Sequence, residues 1–266
     1  MTNSKSKQQN NTASLVWIVS PHLFYLIATM ILLTACRSEK AESQMILTVA
    51  KEKAVIELRG NGRASIDWGD GTKDENFKIS PRYYSYNTHI YSDTLPHTIT
   101  IIGKNITALL CLDSLLIDLD ISNNLKLKDL RVINNQLTNL DVAKNIALVS
   151  LDCGYNQLTN LDISKNSALM SLRCRNNHLT NLDVSKNTNL KELYCGNNQL
   201  TNLDVSKNTA LEWLNFSNNN LSETAINELF STLHSMGGII YLSTDNCDKS
   251  IAKKKGWMVI VEEDKK

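Results

Sequence analysis

A unit of 21 residues occurs six times in succession without insertion, starting at Ile106, Leu127, Leu148, Leu169, Leu190 and Leu211. The third copy shows its apolar frame as Leu148, Leu151, Cys153, Leu158, Leu161 and Ile163, with Asn156 between. Its general form is L-x-x-L-x-C-x-x-N-x-L-T-N-L-D-V-S-K-N-x-A. A constant period of this length excludes an ordinary globular core. Each unit buries its apolar face only against its neighbours, so the chain stacks into a solenoid and no coil is stable alone. Residues 150–155 alternate in and out as a short strand, and strands of successive coils stack in parallel about 4.8 Å apart. The aligned Asn135, Asn156, Asn177, Asn198 and Asn219 follow the strand, where an amide can satisfy backbone groups of two coils, which predicts a structural role. The first copy has Ser114 at this position, and the second has Val132 in place of Cys; both read as worn copies near an end.

The unit resembles the leucine-rich repeat, in the short form of bacterial surface proteins. The resemblance covers residues 106–246 and implies an α/β-type solenoid, mostly β.

Both solenoid ends expose an apolar slab and need a cap. On the C-terminal side, Ser222 begins a stretch whose Ile226, Leu229, Phe230 and Leu233 lie at helical spacing, with Ser222 as the expected N-cap. Gly237-Gly238 stops this helix, Ile239 to Leu242 adds a strand, and residues 247–266 finish the cap with a short helix and a closing strand, Trp257 to Val261. On the other side, residues 45–105 hold short β-rich runs at 46–49, 54–58, 65–68, 88–91 and 98–102, which suggests a small sandwich. Within it, Trp68-Gly69-Asp70-Gly71, then His89-Ile90-Tyr91, then His97-Thr98-Ile99-Thr100-Ile101 resemble a PKD domain, with His97 where that family has an aromatic. Gly69-Asp70-Gly71 lacks calcium-loop spacing and predicts a tight turn.

Residues 1–35 have the three parts of a secretory signal: a polar start with Lys5 and Lys7, an uncharged and mostly apolar run from Leu15 to Leu33, and small residues before Cys36. Leu33-Thr34-Ala35-Cys36 resembles the bacterial lipobox, which implies that Cys36 is lipidated and anchors the chain in the membrane; an uncleaved transmembrane helix is the alternative. Residues 36–44 then read as a tether. The expected location is the cell envelope, at the outer membrane or cell surface.

Lys+Arg 28 against Asp+Glu 27 leaves a net charge of +1, which argues against a nucleic-acid partner. No H-E-x-x-H, G-x-S-x-G or phosphate-loop motif is present, so no catalytic residue, metal ligand or cofactor is assigned. Cys111, Cys153, Cys174 and Cys195 occupy one repeat position, which predicts buried free thiols instead of a zinc site. The repeated Asp141, Asp162, Asp183 and Asp204 read as turn residues. The variable positions beside the inward Leu and Cys remain as the candidate ligand face. Arg131, Asp152, Arg173, Tyr194 and Asn215 form one column; Asp129, Ser150, Ser171, Glu192 and Trp213 form a second; Tyr155 and Arg175 lie just beyond. The expected partner is a protein, with a glycan second, in an adhesion-type role. A passive structural envelope lipoprotein is the alternative, and an unrecognised hydrolase the third reading.

Overall fold

The computed structural model describes residues 44–261, all within the second of the two compact units of the chain, Lys40–Lys266. Buried and part-exposed positions alternate in the first two strands, and the module holds six: β1 Gln44–Val49, β2 Lys53–Gly60, β3 Gly62–Asp67, β4 Lys73–Ile79, β5 Ser85–Ile90 and β6 His97–Ile102. Met45, Leu47 and Val49 of β1 face Ala54, Ile56 and Leu58 of β2 in one apolar core, with Ile66, Ile99 and Ile101. Strand β4, Lys-Asp-Glu-Asn-Phe-Lys-Ile, was not expected. It is an edge strand paired with β3 alone, so only one flank needs a partner and its polar side chains stay in water. The turn expected at Gly69-Asp70-Gly71 closes the β3–β4 hairpin, with Trp68 N donating to Thr72 O at 3.1 Å. Gly69 has φ +83°, and a Cβ there would meet Thr98 O at 2.4 Å, so no other residue fits without a shift.

The first coil contains two strands, β7 Ile106–Leu110 and β8 Leu116–Asp120. Strand β7 pairs antiparallel with β2, and β8 pairs antiparallel with β1. Five short strands follow at repeat spacing: β9 Asp129–Arg131, β10 Ser150–Asp152, β11 Ser171–Arg173, β12 Glu192–Tyr194 and β13 Trp213–Asn215. All pair in parallel, and β9 joins β7. The change of sequence pattern at 105/106 is therefore not a break in hydrogen bonding. The first coil completes one sheet of the N-terminal module with β8 and carries the other into the solenoid with β7.

Coils are stapled by asparagine. The side chain of Asn177 accepts from Leu158 N at 2.9 Å and donates to the carbonyls of Cys153 and Cys174 at 3.0 and 3.1 Å, one in the preceding coil and one in its own. Asn135, Asn156, Asn198 and Asn219 repeat this arrangement. This accounts for Ser114. An Asn there would have no earlier coil to reach into, and Asn135 Oδ1 already takes the N–H groups of Ser114 and Leu116. The first copy is thus a junction and not a worn repeat, which corrects the expectation. A second ladder escaped the sequence reading. Asn145, Asn166, Asn187 and Asn208, from the recurrent Lys-Asn pair, are buried, and each donates to two carbonyls of the preceding coil. The exposed Asp141, Asp162, Asp183 and Asp204 each accept from the N–H two residues on, the expected turn role.

The C-terminal cap follows from its residues. Ser222 accepts from Ala225 N and opens α1 Glu223–Thr232, whose Ile226, Leu229 and Phe230 are buried. Strand β14 Gly238–Leu242, helix α2 Lys249–Lys254 and strand β15 Trp257–Val261 close the ladder, giving a ten-stranded sheet in the order β15-β14-β13-β12-β11-β10-β9-β7-β2-β5.

Candidate binding face

The central Leu of each repeat strand points into the core, which turns its two neighbours to the outer face of the long sheet. Register aligns Arg131, Asp152, Arg173, Tyr194 and Asn215, and beside them Asp129, Ser150, Ser171, Glu192 and Trp213, as two columns. Both run further than the repeat. Tyr241 and Ile239 of β14 continue them at one end. At the other, Leu110 and Ala108 lead to Glu57 and Arg59 of the N-terminal module. The extension was not legible in sequence because it depends on antiparallel pairing between segments about fifty residues apart.

The side chains on this face hold one another. Arg173 donates to Glu192 at 2.9 Å and lies 5.1 Å from the ring centroid of Tyr194, and Ser171 donates to the same carboxylate at 3.0 Å. Arg175 lies 5.3 Å from the Tyr155 ring. Toward the N-terminal module, Asp129 is only 5% exposed. It accepts from Tyr84 at 2.5 Å and from Arg131 at 3.1 and 3.2 Å, and Arg59 lies 3.6 Å away and over the Tyr84 ring. Asp129 was expected to be presented to ligand; it is instead the buried anchor that orients Arg131 and Tyr84. Ala108, in register between Arg59 and Asp129, is small enough for the two to meet across its rung.

Electrostatics follow the contacts. The bond from Arg173 holds the Glu192 carboxyl below its usual range. Asp152, which accepts from Gly154 N, is shifted upward by burial. Burial and the bond to Asp129 push the Tyr84 hydroxyl up to about 12. Asn215 accepts from Ser217 N at 3.0 Å, and Trp213 is half-buried.

Tyr155 has a second distinction. The residue after each strand exit adopts a left-handed backbone: Asn134, Asn176, Asn197 and Asn218 with φ from 54° to 55°, and Tyr155 with φ 56°. Asparagine tolerates this region and a bulky aromatic does not, so Tyr155 occupies a strained position where most copies have the relaxed residue. Strain of this kind clusters where a side chain is needed for contact.

Elsewhere, the structure pairs histidines that sequence left without partners. His89 bonds to Asp70 at 2.7 Å and stacks on Trp68, and His97 bonds to Asp93 at 2.9 Å and stacks on Tyr91 at 3.8 Å. Tyr91 OH donates to Trp68 O, so this string ties the turn to the β6 side of the module. Cys111, Cys153, Cys174 and Cys195 are buried free thiols, and burial pushes Cys111 up to about 11 and Cys195 up to about 12. Among the described residues, no group of three or more His, Cys, Asp or Glu could hold a metal ion, and no helix is long and apolar enough to cross a membrane. Cys36 and the signal lie outside the described residues.

A 21-residue coil with one parallel strand per turn, an inward Leu frame and an asparagine ladder defines this chain as a leucine-rich repeat solenoid. No protein-family model matches the sequence, and no curated protein matches it. Among solved structures, the functional domain of InlJ from Listeria monocytogenes, which includes a cysteine ladder, is similar at 25% identity over 61% of this chain and 50% of that one, with a TM-score of 0.39. An internalin, InlF, from the same organism is similar at 21% identity over 57% of this chain and 46% of that one, TM-score 0.45. Internalin C2, also from Listeria monocytogenes, is similar at 20% identity over 59% of this chain and 81% of that one, TM-score 0.46. The match thus spans about half the length of the first two.

Proposed function

We propose that this chain is a cell-envelope lipoprotein, anchored through Cys36, that binds a macromolecular ligand along the outer strand face of its repeats and performs no catalysis. A protein is the first choice of ligand and a glycan the second. The observation that carries the reading is the cluster of Arg173, Glu192 and Tyr194, in which a guanidinium is already held by a carboxylate and an aromatic ring. Ordering a long side chain on binding costs about 0.5–1.5 kcal/mol, and here much of that cost is met before the ligand arrives. An Arg has five N–H donors and the contact with Glu192 uses one, so the rest of the fork serves a ligand carboxylate or hydroxyl. Exposed Tyr, Trp and Arg are the residue types that dominate interface energy.

The test begins with capture of partners from envelope and host-surface extracts by the full chain in mild detergent. Tyr194→Ala with Trp213→Ala weakens binding of a captured partner by more than ~2 kcal/mol while the fold is retained. Unchanged affinity in the folded double variant, with loss on substituting Trp68 or Asp70, moves the site to the N-terminal module, and capture of no selective partner favours the alternative of a passive structural lipoprotein. For the anchor, Cys36→Ala abolishes incorporation of labelled fatty acid and leaves the signal uncleaved; equal labelling of the variant removes the lipoprotein reading.

A further inference from the structure

At the far end of the β3–β4 ribbon lies a groove of about 520 Å³ between residues 61–63 and 78–83, lined by Asn61, Arg63, Lys78, Ser80, Arg82 and Tyr83, among others. Arg63 and Lys78 are direct cross-strand partners on the solvent face. Like charges in that position destabilise an antiparallel pair. Arg82, on the loop that leaves β4, brings a third cation to the same groove, and no carboxylate lines it. The aspartates of this hairpin are engaged elsewhere. Asp67 pairs with Lys73, Asp70 with Thr72 and His89, and Asp74 accepts from Trp68 and Asn87. Arg63 Nη1 donates to the Asn76 carbonyl at 3.0 Å, which occupies one N–H of its guanidinium, leaves the other donors of the fork for an anion and neutralises nothing. Among the described residues, neither Lys78 nor Arg82 has an ion-pair partner. Tyr83 is 65% exposed at the rim.

Three cations gathered in one concavity, two of them directly opposed, make an arrangement that the fold does not require and that an anion would relieve. From this geometry we infer a binding site for a phosphate-bearing group, with the guanidinium forks of Arg63 and Arg82 matching its oxygens, Lys78 as a point charge and Tyr83 covering whatever the phosphate is attached to. The size of the groove suits a phosphate together with a glycerol or sugar unit. The site is separate from the repeat strand face and does not depend on the function proposed for it.

The test follows acylation of Lys78 on the full chain by an amine-reactive ester, read by peptide mass spectrometry, with Lys186 and Lys207 as internal references. At constant ionic strength, the arms are chloride, inorganic phosphate, glycerol 3-phosphate, phosphatidylcholine vesicles, and the same vesicles containing phosphatidic acid. The expected result is at least an about threefold slowing at Lys78, but not at the references, in a phosphate-bearing arm, and loss of that protection in Arg82→Gln. Slowing by the soluble phosphates marks a free phosphate compound as the source, and slowing only with phosphatidic acid marks a lipid headgroup; both support the site. Equal rates in every arm, or protection that survives Arg82→Gln, overturn it. A second measurement needs no ligand: Lys78→Gln removes the opposed charge and raises the thermal midpoint, whereas a lowered midpoint refutes the charge conflict on which the inference rests.

Discussion

Asn177 and Asn187 are both buried amides that bridge coils, yet they hold different things. Asn177 gives Leu158 N its acceptor, so Asn177→Ala leaves a buried N–H unpaired, which costs about 1–3 kcal/mol in addition to the lost donor bonds. Asn187 only donates, and the carbonyls of Ile163 and Asn166 that it serves also accept from Asn166 N and Leu169 N. Chemical unfolding should therefore show Asn177→Ala destabilising by about 2–4 kcal/mol and Asn187→Ala by about 1–2 kcal/mol; equal losses would contradict this accounting. The thiols give a second test at the same scale. Because burial disfavours the thiolate, Cys153, Cys174 and Cys195 stay unalkylated in the native protein even at pH 9, where an ordinary thiol reacts readily, and react on denaturation without reductant. Mass spectrometry showing disulfides among them would refute the inward column.

Turns and strands carry the next pair of expectations. Tyr155→Asn places the residue preferred for a left-handed backbone at the third strand exit, so the protein gains about 1 kcal/mol of stability and loses ligand affinity, a trade-off readable by melting and binding on one variant. The turn string responds to acid. Bonds from Thr72, and then from His89, hold the Asp70 carboxyl well below the usual range, and a bond from His97 lowers that of Asp93. A carboxyl whose pKa is lower in the folded than in the unfolded chain stabilises above the unfolded value, about 3.9, and that stability is lost as pH falls below it. The urea midpoint therefore drops as pH falls from about 4 to about 2, and drops less in Asp70→Asn; an identical acid profile in the variant would show that the string bears no stability. The polar edge strand β4 was hidden from sequence for a reason at this scale. A strand paired on one flank and wet on its outer face needs no alternation of apolar residues, and only the partner β3 reveals it.

One long sheet runs from β5 of the N-terminal module to β15 of the cap, with a single apolar core beneath it. Pairing of β2 with β7 and of β1 with β8 couples the module to the first coil, so circular dichroism and tyrosine fluorescence should report one shared unfolding transition. Two separated transitions would mean that the 105/106 boundary divides independent folding units.

The period-21 pattern was sufficient to determine the solenoid, the inward Leu and Cys frame, the first asparagine column and the helical cap begun by Ser222. Each follows from local chemistry repeated at fixed spacing, which a linear sequence displays in full. What lay on the strand face was legible only as composition: which residues vary, but not which of them meet. That Asp129 is buried under Tyr84 and Arg131, that Glu192 belongs to Arg173, and that Arg63 opposes Lys78 were decided by register between strands distant in sequence. The physical reason is that burial within a coil depends on neighbours a few residues away, whereas charge pairing on a sheet depends on which strands the folded chain sets side by side.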